Sequence, residues 1–265
     1  MILLDDASTD NSLDLLQAYA NHPKASHFIV NDENSGGPFH QWKKGIDLAR
    51  GEYIWIAESD DWAELNFLEE MVKMGSKEPA STVLYSRSYR SNEDGEVKRS
   101  NYLSTYELDD RRWKANFVND GISECKNYLV HKNTIPNASA VIFKREVTQK
   151  IDWNFIDFKM AGDWFFWIKM LEHGDVSYTS SYLNYFRSSA QSTRNYSSIK
   201  DKLNISIEEI AILNYLKGKN ITTFRKIAWR NTRLILKVII LVVLGIGSLP
   251  KGTYGKSMKI LFNQF

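Results

Sequence analysis

The sequence predicts an α/β protein with a doubly wound sheet, followed by a helical C-terminal region. Short apolar runs, such as ILL at residues 2–4 and YIWIA at residues 53–57, alternate with segments of helical periodicity over the first ninety residues, as strands and helices do in α/β folds. The composition, with 43% hydrophobic and 25% charged residues among 265, is that of an ordinary globular protein. The length allows one large domain with an addition.

The elements of the first ninety residues follow from local signals. Residues 10–12 offer helix N-caps before an amphipathic segment, Pro38 suits the first turn of a helix, and Gly51 suits the residue after a helix end. We therefore predict, in order, a strand at 1–4, a helix at 13–20, a strand at 27–32, a helix at 38–49, a buried parallel strand at 52–57, a helix at 64–75 and a strand at 82–86.

The rest of the chain is less regular. Asp94-Gly95 within SNEDGEVKRS is typical of a hairpin turn, and residues 105–133 are predicted to be mostly helical with long loops. The remaining predicted elements are a strand that enters a helix at 137–146, a helix at 162–174, one or two strands at 176–187 and an amphipathic helix at 197–217.

Charge is distributed unevenly along the chain. Residues 210–265 contain ten Lys and Arg and no acidic residue, whereas the remainder contains 24 Lys and Arg against 32 Asp and Glu. A basic and strongly apolar tail prefers an anionic partner, and a membrane surface suits it better than nucleic acid. The single cysteine, Cys125, excludes an internal disulfide, and the sequence shows no signal peptide, so we expect a cytoplasmic protein.

Acidic residues follow two of the predicted strands. Asp5 and Asp6 come directly after the first strand, and Glu58, Asp60 and Asp61 come after YIWIA. Because ligands bind at the carboxyl ends of strands in open α/β sheets, we expect both clusters at one edge of the sheet. Hard oxygen ligands there suit Mg²⁺ or Mn²⁺ bound together with substrate phosphates. The alternative, in which an acid only caps a helix or is solvated, stays open for each one taken alone.

Other phosphate chemistries fit the sequence less well. ILLDDAST resembles the Asp-x-Asp-x-Thr loop of phosphatases with an aspartyl nucleophile, but Ala7 occupies the place of the second Asp. The sequence contains no Walker loop and no Gly-x-Gly-x-x-Gly motif, which the P-loop and dinucleotide folds need to hold phosphate. A nucleotidylyltransferase usually carries an N-terminal glycine-rich phosphate loop, and the sequence contains none.

Four segments resemble, in their order and spacing, the sequences of family 2 glycosyltransferases. They are LLDDASTDNS (3–12), NSGGPFHQWKKGIDLARGEYIWIAESDDW (34–62), NASAVIF (137–143) and GDWFFWIKML (162–171). The similarity covers about residues 1–195. It implies an inverting enzyme with the GT-A fold, a doubly wound mixed sheet, that uses a nucleotide-sugar donor. We therefore expect a glycosyltransferase domain at 1–195 and a helical C-terminal region at 196–265.

The resemblance assigns the nucleotide end of the donor site by position. Asp6, with Asp5 as the near alternative, matches the acid that hydrogen-bonds the nucleotide base. Asn34 and Gly36 match the turn that frames the nucleotide. The family implies that the donor is most often a UDP-sugar, with a dTDP-sugar as the other candidate.

The resemblance also assigns the reacting end of the donor site. Asp60 is expected to face the ribose or the metal and Asp61 the metal, with Glu58 in the same motif, and Arg187 is expected to contact the diphosphate. Asp163 matches the catalytic base, which would take a proton from the acceptor hydroxyl as that oxygen attacks the anomeric carbon. The alternative, in which Asp163 only caps the helix that it begins, stays open.

Two departures from the family pattern bear on activity. Members normally carry a further strand and helix before the segment that resembles residues 1–12, so we expect this chain to begin at the second strand of the domain. Ser189 falls where many relatives have a His that helps to hold the metal or the diphosphate. A second class therefore stays open, a catalytically inactive remnant that binds a nucleotide or a protein partner.

The apolar run LILKVIILVVLGIGSL at 234–249 is shorter than the ~20 residues that a spanning helix needs and is interrupted by Lys237 and two Gly. With basic residues on both sides, it is predicted to lie in the plane of an anionic membrane surface. A core helix packed on the domain and a short membrane span are the alternatives. We expect a protein at the inner face of the cell membrane, with a glycan or lipid-linked acceptor from surface polysaccharide or glycolipid synthesis and no nucleic-acid partner.

Overall fold

The computed structural model describes residues 1–101, 105, 107–188 and 198–245. Its strands are β1 (Ile2–Asp5), β2 (His27–Val30), β3 (Tyr53–Trp55), β4 (Trp62–Ala63), β5 (Ser81–Ser91), β6 (Val97–Asn101), β7 (Phe117–Asn119), β8 (Val141–Lys144) and β9 (Asp175–Arg187). Its helices are α1 (Ser12–Gln17), α2 (Pro38–Leu48), α3 (Phe67–Lys77), α4 (Gly121–Glu124), α5 (Arg145–Thr148), α6 (Gly162–Leu171), α7 (Ile199–Gly218) and α8 (Phe224–Gly245). Turns of 3₁₀ helix occupy Arg112–Lys114 and Ala138–Ala140, and a π-helical segment occupies Cys125–Leu129.

The described strands form two sheets. The larger has seven strands in the order β3-β8-β5-β9-β4, with β6 paired to β5 and β7 paired to β9. Within it, β5 and β9 run parallel and the other pairs run antiparallel. The smaller sheet holds β1 and β2 in parallel, from the pair Ile2–His27 to the pair Asp5–Val30. Strands and helices alternate through the first ninety residues, as predicted.

The prediction that residues 52–57 form a parallel strand is wrong. The strand Tyr53–Trp55 pairs antiparallel with β8, with Ile54 opposite Phe143, and among the described residues β1 pairs only with β2. An apolar strand sequence indicates burial on both faces but does not indicate which strand lies beside it. The pairing partner of β3 and its direction relative to that partner therefore depend on the tertiary structure and cannot be predicted from the local sequence.

Helix α6 lies at the centre of the molecule, and nine of its ten residues are buried. Phe166 and Trp167 of α6 pack edge-on against Phe143 of β8, with ring centroids 5.2 and 5.8 Å apart. Trp42 of α2 packs edge-on against Phe166 at 5.8 Å. The opposite face of the large sheet, which includes Leu84, is covered by α3. The large sheet is therefore the middle one of three layers, as in doubly wound α/β folds.

The C-terminal helices α7 and α8 pack on the same core. Leu203 and Leu213 of α7 and Val238 of α8 are fully buried, in one cluster with the aromatic residues of α6. For residues 234–241 the structure therefore has a helix packed on the domain, which was one of the three alternatives. Residues 246–249 of the predicted membrane anchor lie outside the described residues. The predicted boundary between 195 and 196 also lies outside them, so the division into two regions stays a prediction.

The outward face of α8 is apolar and basic. Leu236, Ile239 and Ile240 are 53%, 47% and 56% exposed, and Arg233 and Lys237 beside them are exposed as well. None of the helices in the described part of the chain is both long enough and apolar enough to cross a membrane. Helix α8 thus has one apolar face in the core and a second one on the surface.

Several local predictions are confirmed. The predicted hairpin is formed by β5 and β6, with Ser91 opposite Val97 and with Gly95 at φ +82° in the turn, a conformation that favours glycine. Pro38 is the first residue of α2. The one or two strands expected at 176–187 form one long strand, β9.

Candidate functional site

A cavity of about 360 Å³ lies between the start of α2, the loop after β3, the start of α6 and the helices α7 and α8. Five carboxylates line it, those of Glu58, Asp60, Asp61, Asp163 and Glu209. The structure thus brings together predicted site residues that are about a hundred positions apart in the chain. Aromatic and cationic side chains complete the wall, among them Trp42, Trp164, Lys132, Lys159 and Arg230.

The loop that carries Glu58, Asp60 and Asp61 is held from outside. Trp42 Nε1 of α2 donates a hydrogen bond to Glu58 Oε1 at 3.2 Å. The backbone N–H of Glu58 donates to Ser139 Oγ at 3.1 Å, and the N–H of Asp61 donates to the carbonyl oxygen of Glu58 at 3.2 Å. These bonds fix the loop so that its carboxylates border the cavity.

A buried amide network lies beneath this loop. Asn137 Oδ1 accepts from the N–H of Ser139 at 3.0 Å, and Asn137 Nδ2 donates to Asn184 Oδ1 at 2.7 Å. Asn184 Nδ2 and Trp55 Nε1 both donate to the carbonyl oxygen of Ser139, at 2.9 and 2.8 Å. A satisfied buried network of this kind is rigid. It joins β3, β9 and the turn before β8 directly below the carboxylates.

Arg187 lies beside Asp61. Its backbone N–H donates to Asp61 Oδ1 at 2.9 Å. Its guanidinium lies 5.2 Å from the ring centroid of Trp62, and the ring of Trp62 also stacks with that of Tyr185 at 5.1 Å. Arg187 is not among the residues that line the cavity, so its side chain stands at the edge of the carboxylate site. Ser189 lies outside the described residues.

Asp163 is oriented by two hydrogen bonds at the first turn of α6. Its Oδ1 accepts from the backbone N–H of Trp164 at 2.7 Å, and its Oδ2 accepts from Asn133 Nδ2 at 2.9 Å. The amide of Asn133 is itself fixed, because its Oδ1 accepts from the N–H of Ile135 at 3.0 Å. The amino group of Asn133 therefore has to face Asp163, and the carboxylate is held in one orientation.

The environment of Asp163 shifts its acidity. Burial is the largest effect and raises the pKa of Asp163 from 3.8 to about 7. The nearby charges of Glu58 and Glu208 also raise this pKa, whereas the bonds from Trp164 and Asn133 lower it. A carboxylate with a pKa near the working pH is suited to general base chemistry.

Asp6 holds the turn that begins α2. Its Oδ1 accepts from Asn31 Nδ2 at 2.6 Å, from the N–H of Ser35 at 2.9 Å and from Gln41 Nε2 at 2.7 Å, and its Oδ2 accepts from Ser35 Oγ at 2.8 Å. Burial raises the pKa of Asp6, but the bonds from Ser35, Asn31 and Gln41 outweigh burial and leave this pKa below its usual value. Asp6 is therefore an ionised carboxylate that already organises its surroundings.

Asp5 and Asp10 each accept a hydrogen bond from a backbone N–H group between the end of β1 and the start of α1. Asp5 is only 4% exposed, and its Oδ1 accepts from the N–H of Ser8 at 3.0 Å. Asp10 Oδ1 accepts from the N–H of Ser12 at 3.0 Å. Between the two aspartates, Ala7 has φ +59°, a left-handed conformation that is costly for a residue with a side chain. Such strain is concentrated at functional turns.

The two acidic clusters do not share a sheet edge, so that prediction is wrong. Asp6 follows β1 in the small sheet, and Glu58 follows β3 in the large one. Helix α2 links them instead, because Gln41 bonds Asp6 and the adjacent Trp42 bonds Glu58. Asp5, Asp6, Asn34 and Gly36 are accordingly not among the residues that line the cavity.

The predicted turn at Asn34 and Gly36 is built as a compact loop. Asn34 Oδ1 accepts from the N–H of Gly36 at 2.9 Å, and Asn34 Nδ2 donates to the carbonyl oxygen of Asp6 at 2.9 Å. Gly36 has φ +82°, a conformation that favours glycine. The carbonyl oxygen of Gly36 accepts a hydrogen bond from Lys159, which lines the cavity. The turn and the cavity are thus neighbours.

A comparison with protein families decides what kind of domain this is. The model of glycosyl transferase family 2 matches residues 1–151, more than half of the chain. The chain belongs to glycosyl transferase family 2. The matched residues include every predicted site residue from Asp5 to Asp61, whereas Asp163 and Arg187 lie beyond the matched range.

Two of the relatives of this family 2 domain are bacterial glycosyltransferases. Glycosyltransferase GlyG of Streptococcus pneumoniae is 34% identical over 84 residues, which are 32% of this chain and 28% of GlyG. The putative teichuronic acid biosynthesis glycosyltransferase TuaG of Bacillus subtilis is 34% identical over 73 residues, 28% of this chain and 29% of TuaG. The chain therefore spans less than a third of the length of these relatives.

A solved structure confirms the fold of the family 2 domain. The structure of S. aureus TarS 1-349 in complex with UDP-GlcNAc superposes with a TM-score of 0.59, covering 80% of this chain and 56% of that chain at 18% sequence identity. At this identity the likeness shows the fold alone. The GT-A fold with a mixed α/β sheet, expected from the resemblance, is thereby confirmed.

The divalent metal stays a prediction. In the part of the chain that the structure describes, no group of three or more His, Cys, Asp and Glu is arranged to hold a metal ion. Mg²⁺ with phosphate substrates commonly takes only one or two carboxylates, and phosphate oxygens and water complete its shell. Asp60 and Asp61 at the edge of the cavity fit that smaller demand.

Sequence reasoning missed the residues that hold the site together. Trp42, Asn133, Ser139 and Glu208 each bond a site residue or the segment that carries one. Each contact joins segments far apart in the chain, and the polar residues have no local motif around them. Only Trp42 gave a signal, since its place in a helical apolar stripe marked it as buried.

Proposed function

We propose that the family 2 domain is an inverting glycosyltransferase that moves a sugar from a nucleotide-diphosphate donor to an acceptor hydroxyl. The observation that carries the proposal is the cavity that holds Asp163, with its raised pKa, together with Glu58, Asp60 and Asp61. A general base and a set of hard oxygen ligands in one cavity are what this transfer requires.

Asp163 is the proposed catalytic base. It takes the proton from the acceptor hydroxyl while that oxygen attacks the anomeric carbon from the face opposite the diphosphate, so the configuration is inverted. The bond from Asn133 orients the carboxylate toward the cavity and leaves it able to accept a proton. Its pKa of about 7 allows both the ionised form before attack and the neutral form afterwards.

The donor nucleotide is proposed to lie along the turn at the start of α2. Asp6, with Asp5 as the alternative, faces the base, and Asn34 and Gly36 frame the nucleotide. The positive φ of Gly36 supports this placement, because a turn without a side chain lets a ligand approach the backbone closely. A UDP-sugar is the favoured donor, since TarS of the same fold was solved with UDP-GlcNAc, and a dTDP-sugar is the other candidate.

The diphosphate is proposed to lie between the loop after β3 and Arg187. Asp60 and Asp61 would hold Mg²⁺ or Mn²⁺, with Glu58 shaping the loop beside them. The ion, when bound, would neutralise charge on the departing diphosphate. Arg187 is fixed on Trp62 next to Asp61 and would supply a positive charge to the same group.

The acceptor is proposed to be a glycan or a lipid-linked sugar of bacterial surface polysaccharide or glycolipid synthesis. The relative TuaG, named as a putative glycosyltransferase of teichuronic acid biosynthesis, supports a surface polymer as the acceptor. The exposed Leu236, Ile239 and Ile240 of α8, with Arg233 and Lys237 beside them, support an in-plane contact with anionic lipid. A location on the inner face of the cell membrane follows from that contact.

Calorimetric titration of UDP and dTDP, with and without Mn²⁺, tests the nucleotide site. We expect Mn²⁺-dependent binding that Asp61→Ala loses and that Asp94→Ala, in the exposed turn of the β5–β6 hairpin, retains. Binding that is equal with and without Mn²⁺ contradicts the proposed metal. A folded protein that binds neither nucleotide overturns the donor site, whereas binding without any hydrolysis of a UDP-sugar favours the inactive remnant.

A further inference from the structure

Glu208 of α7 reaches across to the loop that leads into α6. Its Oε1 accepts from the backbone N–H of Lys159 at 2.7 Å, and its Oε2 accepts from the N–H groups of Met160 and Ala161 at 2.9 and 2.8 Å. The side chain is 6% exposed. One buried carboxylate therefore binds three consecutive backbone donors.

These three donors precede the proposed base directly. Helix α6 begins at Gly162, and Asp163 is its second residue. Ala161, in the N-cap position, has no side-chain cap, and the free N–H groups at a helix start need a partner. Glu208, from another helix, supplies a partner for the N–H of Ala161, and a negative charge near a helix N-terminus is favourable. The carboxylate thus sets the direction in which α6 starts.

Arg230 of α8 makes a parallel contact with the segment that carries Asn133. Its Nη1 donates to the carbonyl oxygen of Val130 at 2.7 Å and also to that of His131, and its Nη2 donates to Glu209 Oε2 at 3.1 Å. Its guanidinium lies 5.3 Å from the ring centroid of Trp164, the residue after Asp163. The planar fork of Arg is well suited to such multiple bonding.

We propose that α7 and α8 position the Asp163 carboxylate, with Glu208 fixing the loop that begins α6 and Arg230 fixing the turn that leads to Asn133. The two hydrogen bonds on Asp163, from Trp164 and Asn133, come from the two segments that these side chains hold. Glu208 and Arg230 are positioning residues and do not touch the reacting atoms. The inference rests on the proposed function of Asp163 as the base.

The hydrogen-bond partners of the buried Glu208 carboxylate make this arrangement specific. Among the contacts above, Glu208 is satisfied by backbone N–H groups, and removing a bond partner from a buried group is costly. A displacement of the base by about 1 Å can lower the rate of a reaction about a hundredfold. The C-terminal helices would then be needed for catalysis itself and not only for packing.

The test compares Glu208→Gln with Glu172→Gln. Glu172 directly follows α6 and forms an ion pair of 3.1 Å with Lys219, which directly follows α7. The control therefore removes one carboxylate charge between the same two helices, but at the end of α6 that is remote from Asp163. Two measurements are made, hydrogen–deuterium exchange of residues 155–165 and steady-state hydrolysis of UDP-N-acetylglucosamine with Mn²⁺. Arg230→Lys, which keeps the charge but loses the fork, gives a second variant.

We expect Glu208→Gln to speed amide exchange at Lys159–Ala161 and to lower kcat about tenfold or more, with the donor KM within about twofold of the wild type. Arg230→Lys should also lower kcat, and Glu172→Gln should change neither measurement. Unchanged exchange in Glu208→Gln, or faster exchange with unchanged kcat, overturns the inference. Asp163→Asn separates the two proposals. Full turnover by Asp163→Asn would overturn the role of Asp163 as the base. Loss of turnover in Asp163→Asn, together with wild-type turnover in Glu208→Gln, would overturn only the positioning role of Glu208.

Discussion

Asp163, the proposed base, carries a cost in stability. Its pKa is about 7 in the folded protein and 3.8 without the fold, and burial is the main cause. The folded state therefore binds this proton more tightly than the unfolded state does. The stability that the neutral carboxyl contributes is present below about pH 4 and is lost as the pH rises toward 7.

Asp163→Asn should therefore stabilise the protein, and the gain should grow with pH. An amide stays neutral, so it avoids the cost of burying a charge next to Glu58 and Glu208. As an upper limit the gain at pH 8 is about 4 kcal/mol, since one pKa unit corresponds to about 1.4 kcal/mol. Denaturant unfolding at pH 4 and pH 8 measures it. The same difference between variant and wild type at both pH values would contradict the raised pKa.

At the residue scale, motif order located the carboxylates of the cavity but not their supports. Glu58, Asp60 and Asp61 were identified because acids after strands follow a known pattern. Asp163 was identified because it matches the base position of the family that the sequence resembles. Asn133 was not, since its contact with Asp163 depends on how two loops meet in space. The sequence around Asn133 does not indicate such a tertiary contact.

At the element scale, helices and turns were predicted better than strand partners. The helix starting at Pro38, the hairpin at Gly95 and the helix α6 follow from capping, turn and periodicity signals. The two-residue strand β4 and the π-helical segment Cys125–Leu129 had no such signal. These elements are imposed by neighbours, so the sequence around them does not identify them.

Helix α8 gives a prediction about the membrane surface. Replacing both Leu236 and Ile240 by Gln should weaken binding to phosphatidylglycerol vesicles about tenfold or more, because burying each apolar side chain contributes about 1.5–3 kcal/mol. Both side chains are exposed, so the unfolding free energy should change by less than about 0.5 kcal/mol. Vesicle co-sedimentation measures the binding.

Leu15→Gln is the matched control for this double variant. Leu15 is also an exposed apolar residue on a helix, α1, but has no role in the proposed surface. It should leave vesicle binding unchanged. Equal binding by the wild type and the double variant would show that the outward face of α8 does not contact lipid. Equal binding to neutral and anionic vesicles would contradict the expected attraction of Arg233 and Lys237 to anionic lipid.

At the scale of the whole molecule, the small sheet stands apart from the large one. It consists of four residue pairs between β1 and β2, whereas β8, also four residues long, is flanked by β3 and β5. Local opening is easiest where few strands share the backbone bonds. Amides of Ile2–Asp5 should therefore exchange at least about tenfold faster than those of Val141–Lys144.

Hydrogen exchange followed by mass spectrometry compares the two strands directly. They have the same length and similar apolar sequences, so a difference reports on their surroundings rather than on composition. Equal protection of the two strands would mean that α2, through Gln41 and Trp42, ties the small sheet to the rest as firmly as a backbone ladder does.

The separation of the two sheets has a consequence for how a donor would act on the protein. A nucleotide-sugar that reached from the Asp6 turn to Asp60 would touch both sheets at once and connect two units that no strand pairing joins in the described chain. A ligand stabilises the folded segments that it contacts, so a donor in contact with both sheets would couple the local unfolding of one sheet to that of the other. Donor binding would then make unfolding more cooperative, and the small sheet would gain the most protection.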